Sequence, residues 1–521
     1  MNRLLITLLC ACMLLGTTLL PTDSANAAGS GIPVESVDEY VLQMMDSADL
    51  PGVSIAVLKD GETYVKGYGE ADTSRNIPVT PDTLFEVGSN SKAFTGVGLL
   101  LLVERGLVDL EAPVTRYLPW LELRTEEGAA EPTVAHFLYQ TSGLGSNSVA
   151  LIDPSTGDTA LQDTVRGLSE KPLWYHPGAQ FLYSTGNYDV LGAIIETVSG
   201  MSYESYMSAE VLGPLGLRQT SAGRVDLTAG KEVSQGYKPG LVGNRAYEAP
   251  VYRGNTPAGY ILSSAADLSL WLSYQLTPAE APPELREAIT RAQISDETVK
   301  ATETPPYTMP FHYGGGWLVF DNGDHSLFTH GGNNPNFSSY ILFDPAQQTG
   351  VAVLGNRNTT ATYAICQGLY ALQQGLKPAA APMDTIDAAN VAGRIILMIC
   401  VVLCLWMIYL CGRDLRLIRK GVRIRRRPSS ALYIKTAGFV ILAAVAVGVA
   451  WYLPKLLFWG YPWRFIVVWA PFTIAPAMIS IAITGILFPA LRLLKMWFPQ
   501  RPEVQTDRRA HLRVIEEEVT L

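Results

Sequence analysis

The sequence predicts a chain in two parts. The first is an α/β (α+β) domain on one antiparallel sheet flanked by helices, with a mainly helical subdomain; the second is an α-helical membrane domain. Three observations lead there. Strand-like segments lie at both ends of residues 28–375 and flank a helical middle, an order that suits one sheet made from both chain ends. Between residues 391 and 491 three apolar runs are each about long enough to cross a hydrocarbon core. Charge divides at the same place: residues 28–390 hold 20 Lys and Arg against 41 Asp and Glu, and residues 391–521 hold 18 against 6. The acidic front argues against nucleic-acid binding. The opposite balance behind it puts the two parts in different surroundings.

In chain order, Arg3 precedes an apolar run (4–20), then Pro21, polar residues and Ala25-Asn26-Ala27. This is the pattern of a secretory signal peptide over 1–27, cut before Ala28. Of the six cysteines only Cys366 falls within 28–375, so this domain has no internal disulfide and relies on its core. Residues 52–58 read as a strand, Asp60-Gly61 as a two-residue hairpin turn, and 64–68 as the return strand. A strand at 83–87 leads into a helix at 92–105, whose apolar face carries Val97, Leu100 and Leu101 and which Gly106 ends. Helices follow at 133–140, 188–199 and 265–275. Strands return at 316–320, 326–330, 339–344 and 350–356, and a helix at 360–374 closes the domain. A Pro/Ala-rich linker covers 376–390.

The membrane domain (391–521) is expected to span at 391–411, 436–453 and 465–491, the last run containing Pro471, Pro476 and Pro489. The loop between the first two carries eight cations from Arg413 to Arg427; the next loop carries only Lys455 and Arg464. The positive-inside rule puts the first loop and the C-terminus in the cytoplasm, and the domain before residue 391 outside the cell membrane. Trp451, Tyr452, Trp459, Tyr461 and Trp463 crowd the outer loop, as interfacial anchors do. The lipid bilayer is therefore one expected partner.

The chemistry centres on EVGSNSKAFTG, residues 86–96. Gly88 allows a tight entry into the helix, Ser89 stands at its N-terminus, and Lys92 lies three residues on, on the same helix face. A serine needs a neighbour to take its proton. A lysine can do so only when burial or nearby positive charge keeps it neutral. Ser91, adjacent to Lys92, does not face it. The histidines lack metal-ligand spacing, and no metal or cofactor is expected.

Around this motif stand PGVSIAVLKDG at Pro51, FEVGSNSKAFTG at Phe85, TVAHFLYQTSGL at Thr133, HPGAQFLYSTGNYDVLGAIIE at His176, PAGYILSSAADLSLWL at Pro257 and THGGNNPNFSSYILFDP at Thr329. With these six ordered blocks, residues 36–374 resemble the serine β-lactamase and penicillin-binding-protein-like hydrolases, in particular the class C β-lactamase-related family. The resemblance implies the β-lactamase/transpeptidase-like fold. It makes Ser89 the acylated nucleophile and Lys92 its proton partner. Tyr183, in Tyr183-Ser184-Thr185, becomes the second-motif tyrosine, a phenol whose ionisation a nearby ammonium would ease. His330-Gly331-Gly332 becomes the third motif, on a sheet-edge strand. Backbone N–H groups of Ser89 and Asn333 would form an oxyanion hole, with Gly332 letting the strand approach a substrate amide. Two positions depart from the family. Thr185 stands where Asn is usual, which puts β-lactam turnover in doubt, with Asn187 as a compensating amide if the loop turns inward. Gln140 stands where His is common and reads as structural. Tyr252, Tyr260 and Trp317 are candidates to line a pocket.

Topology and resemblance together imply a membrane-anchored extracellular serine hydrolase. It would act through an acyl-enzyme on a small-molecule or peptidoglycan-type substrate, as a D-alanyl peptidase, an esterase or a β-lactamase-like enzyme. The alternative is a sensor, or a non-catalytic penicillin-binding-like receptor, for wall fragments or β-lactams. Three spans and Thr185 favour that alternative; short cytoplasmic parts without an output domain speak against it. The sequence carries no signal for an oligomeric state.

Overall fold

Residues 52–59 alternate in which core they enter, and this places them at the centre of the domain. Val53, Ile55 and Val57 point into one apolar cluster; Ala56 and Leu58 point into another on the opposite face. A period of two with both faces covered is the signature of a central strand. The computed structural model describes residues 31–501 apart from 225–226, 228–229, 298–309, 322, 324, 380–383 and 459. The segment 1–27 expected to be a signal peptide, Trp459 and residues 502–521 lie outside the described residues.

Among the described residues the sheet has eight strands: β1 (Gly52–Lys59), β2 (Glu62–Asp72), β3 (Ile77–Pro78), β4 (Phe311–Tyr313), β5 (Leu318–Asp321), β6 (Ser326–Asn334), β7 (Phe337–Asp344) and β8 (Thr349–Gly355). Their order is β4-β5-β6-β7-β8-β1-β2-β3, antiparallel throughout. The two chain ends meet where β1 pairs with β8, from Val53↔Gly355 to Lys59↔Thr349. The β1–β2 turn is Asp60-Gly61 with φ of 49° and 83°, the doubly positive pair that a two-residue hairpin of matching twist requires.

Helices α1 (Val34–Ser47) and α5 (Ala361–Gln373) cover one sheet face through Val37, Val41, Ile365 and Leu369. The other face meets α2 (Ser91–Glu104) and α4 (Ala265–Leu276), with α3 (Gly186–Ser199) behind α2. From Ser91 to Leu102 every residue of α2 is buried. A helix packed on all sides desolvates whatever its sequence places there, Lys92 included. Helix α1 buries Val37, Val41, Met44 and Met45 along one face; no element was expected over residues 34–47. The expected strand 83–87 reduces to Phe85–Glu86, paired with Leu262–Ser263.

The chain divides into two compact units, residues 1–387 and 388–521. Among the described residues, three helices from Thr385 onward are long and apolar enough to cross a membrane: α6 (Thr385–Arg419), α7 (Ser430–Leu457) and α8 (Ile474–Trp497). Two boundaries differ from the sequence reading. The expected linker is helical from Thr385. The expected third span, 465–491, is not continuous: a short helix, Trp463–Trp469, stops before Pro471, and α8 starts at Ile474. Pro471 lacks the N–H that would continue the helix and disfavours helical geometry at Ala470.

Candidate active site

Gly88 adopts φ +54°, and a Cβ there would sit 2.5 Å from the backbone nitrogen of Asn333. Only glycine lets the segment before Ser89 come this close to strand β6. Gly332 makes the reciprocal approach: a Cβ on it would lie 2.0 Å from the Val87 carbonyl oxygen. Strand β5 pairs with β6 only over Ser326–Thr329, so the same edge from His330 onward is left to the Ser89 segment. Side chains fasten the junction. Asn334 Nδ2 donates to Glu86 Oε2 (2.7 Å), Arg224 Nε donates to Glu86 Oε1 (2.8 Å), and Ser339 Oγ donates to the Val87 carbonyl (2.6 Å).

Ser89 sits in a 3₁₀ turn, Gly88–Asn90, that runs directly into α2. Its N–H belongs to the first-turn donors that a helix start leaves without an intrahelical partner. Lys92 Nζ lies 3.1 Å from Ser89 Oγ and 2.7 Å from the Ala258 carbonyl oxygen. The amine also sits 5.1 Å from the centre of the Tyr183 ring and 5.9 Å from that of Tyr188. Lys92 is wholly buried. Burial pushes its amine down to about 7, with the carboxyl of Asp189 opposing. Burial likewise raises the Asp189 carboxyl well above its ordinary range. Asn255 meets both Asp189 oxygens, at 3.0 and 3.1 Å, with its amide nitrogen turned toward them. The sequence reading missed Asp189; the available signal was one acid inside the otherwise apolar run 188–195.

Tyr183 is half-buried, with the Ser89 hydroxyl acting on its phenol. Its ionisation is not eased, contrary to expectation. Desolvation raises the phenol well above its ordinary value, and the neighbouring amine, itself displaced toward neutrality, does not offset this. His330 is buried behind Tyr183, ring centres 5.9 Å apart. Its Nδ1 donates to the Gly331 carbonyl (2.7 Å), which leaves Nε2 as an acceptor for the Tyr313 hydroxyl at 3.3 Å. Burial and the Lys92 charge push this imidazole down to about 3, so it stays neutral. With both nitrogens engaged by protein groups, His330 is a neutral wall of the site.

The amides fall differently. Thr185 is partly exposed at the start of α3, and its hydroxyl makes no hydrogen bond among the described residues. Asn187 does not compensate for it. The side chain is fully buried, accepts from Ser142 Oγ (2.5 Å) and donates to Gln140 Oε1. Gln140 also accepts from Ser184 N–H (2.9 Å), with its own backbone at φ +61°. The pair therefore holds the loop that carries Tyr183. Gly332 and the partly exposed Asn333 lie against the Ser89 segment. Tyr252 and Tyr260 line a cleft with Glu86 and Arg224, whereas Trp317 is core. Among the described residues there is no group of His, Cys, Asp or Glu that could hold a metal.

A serine, a buried amine, a phenol and a sheet edge assembled in this way define a serine-hydrolase type of site on a β-lactamase-like α/β fold. Comparison with known proteins agrees. Residues 37–375 match the family model described as Beta-lactamase, and the chain belongs to that family. It is 28% identical over 466 residues to Protein flp of Staphylococcus aureus (strain MW2), covering 89% of this chain and 90% of that protein. It is 27% identical over 339 residues to Unguisins hydrolase ungD of Aspergillus violaceofuscus, covering 60% and 59% of the two chains. Among solved structures, the octameric penicillin-binding protein homologue from Pyrococcus abyssi is similar with a TM-score of 0.59 and 29% identity, over 67% of this chain and 78% of that one.

Proposed function

We propose that the chain is a membrane-anchored serine hydrolase whose extracellular domain opens amide or ester bonds through an acyl-enzyme on Ser89. The observation that carries this reading is the buried Lys92 amine 3.1 Å from Ser89 Oγ. A neutral amine has two N–H groups and one lone pair. One N–H is taken by the Ala258 carbonyl, and the lone pair is free to accept the Ser89 proton. As Ser89 Oγ bonds to the substrate carbonyl carbon, its proton moves to Lys92. The developing oxyanion lies toward the Ser89 and Asn333 N–H groups. Tyr183, kept protonated by burial, gives its proton to the leaving nitrogen or oxygen as the acyl bond breaks, and Lys92 restores that proton. Water then attacks the ester by the same steps in reverse.

The substrate class follows from surroundings. Three spans hold the domain at an outer membrane face, where D-amino-acid amides and esters of the cell wall are the acyl donors at hand. Thr185 offers a single short hydroxyl in place of an amide, which favours small esters and amides over extended peptides. Labelling with a fluorescent penicillin tests the reading, with Ser89→Ala as the control. Label that depends on Ser89 and turns over supports a hydrolase. Label that depends on Ser89 but persists supports the receptor reading. Absence of both labelling and p-nitrophenyl ester hydrolysis would sink the proposal.

A further inference from the structure

The strongest feature outside the site is at one end of the second unit. Asp414 is the only acid between residues 391 and 501, and it is fully buried. Arg413 and Arg423 reach it, at 3.2 and 3.3 Å. Among the described residues the cations beyond them meet no acid: Arg416, Arg419, Lys420, Arg425, Arg426 and Arg427 are all exposed.

The segment that bears them is folded onto the chain that follows α8. Arg423 Nη1 donates to the Phe498 carbonyl at 2.8 Å. Backbone bonds run from Ile424 to Pro499, from Arg426 to Trp497 and from Arg501 to Val422. Trp497 packs edge-on against Tyr433 and donates through Nε1 to Thr436 Oγ1 (3.0 Å). The result is a fixed basic plate with an amphipathic aromatic pair at its edge, the composition found where helices leave a bilayer. Holding six like charges together is unfavourable unless counter-charge is supplied.

We infer that this plate, formed by residues 416–427 against residues 497–501, binds the phosphodiester headgroups of anionic phospholipids. The inference rests on the reading that α6, α7 and α8 span a bilayer. It does not depend on which side of the membrane the plate faces. Phosphate oxygens suit the plate because exposed guanidinium groups give paired donors to them.

The test uses the full-length chain. Co-flotation with phosphatidylcholine vesicles first checks the membrane reading by itself; a chain that fails to float overturns that reading and the inference with it. The detergent-solubilised chain is then titrated with phosphatidylglycerol or phosphatidylcholine and bound lipid is counted by native mass spectrometry. Phosphatidylglycerol is expected to bind at least about tenfold tighter. In R425Q/R426Q/R427Q, three exposed positions outside every helix, that preference should shrink to about threefold or less while flotation is retained. Equal binding of the two lipids, an undiminished preference in the variant, or tighter binding of an oligonucleotide than of phosphatidylglycerol would each overturn the inference.

Discussion

At the scale of single residues, the site turns on the proton balance of Lys92. Its amine is brought down to about 7 by burial, so kcat/KM for a p-nitrophenyl ester should rise with pH as the amine loses its proton and level off above about pH 8. No alkaline fall is expected within the stable range, since the Tyr183 phenol is raised rather than lowered. A profile flat between pH 5 and 9 would count against Lys92 as the base. The same burial costs stability. The folded-state amine titrates near 7 and the unfolded one near 10.5, so between these values the unfolded chain binds more protons and stability rises with pH. The cost is complete below about pH 7 and gone above about 10.5. Lys92→Met should therefore abolish turnover yet stabilise the domain at pH 6 by about 1–3 kcal/mol, read by urea unfolding. Sequence spacing made Ser89 and Lys92 legible as a pair. It gave no access to Asp189, whose role depends on which buried groups the fold brings beside it.

At the scale of elements, the site is a seam between the start of α2 and the edge of β6, and glycine sets its width. A methyl group at Gly332 would meet the Val87 carbonyl at 2.0 Å and Ser339 Oγ at 2.4 Å. Neither backbone can yield without moving Ser89 away from Asn333. Gly332→Ala should lower kcat/KM by about 10²-fold, as expected for a misplacement near 1 Å, with a loss of melting temperature of a few degrees. An unchanged rate would show that this edge takes no part. The loop bearing Tyr183 is held from below by Gln140. Gln140→Met keeps the length but removes the acceptor for Ser184 N–H and Asn187, and should reduce kcat about tenfold with KM little altered. The strands and most helices were legible because their periodicity and turn residues agree, Asp60-Gly61 above all. The failures have local causes. Residues 83–87 are apolar enough for a strand, but glycine at 88 and the α2 contact bend the chain away after two paired residues. The run 465–491 is apolar throughout, and hydropathy does not register that Pro471 ends a helix.

At the scale of the whole molecule, the question is where the hydrolase domain ends. Composition places the end at residue 375, after the last core helix. The structure carries it farther. Asp384 Oδ2 accepts from Thr359 Oγ1 (2.6 Å) and Thr360 N–H (2.9 Å), while its other oxygen caps Ile386 N–H at 2.8 Å. Asp387 pairs with Arg357, which is almost wholly buried and also donates to the Ala48 carbonyl. Residues 384–387 thus close the end where β8 passes into α5, next to the strand pairing that joins the two chain ends. A fragment of residues 28–387 should fold and retain the ester-hydrolysis rate of the full chain within about twofold, because every group placed in the site lies inside it. A fragment stopping at 375 leaves Arg357 without Asp387 and the Thr359–Thr360 turn without its carboxylate. Since Asp387 is itself partly exposed, the loss should be about 1–2 kcal/mol, a drop of about 2–5 °C in Tm by calorimetry. Equal melting of the two fragments would mean that the linker is only a tether. A lower value for the shorter one would place the domain boundary at the first turn of α6, where charge and composition gave no mark of it.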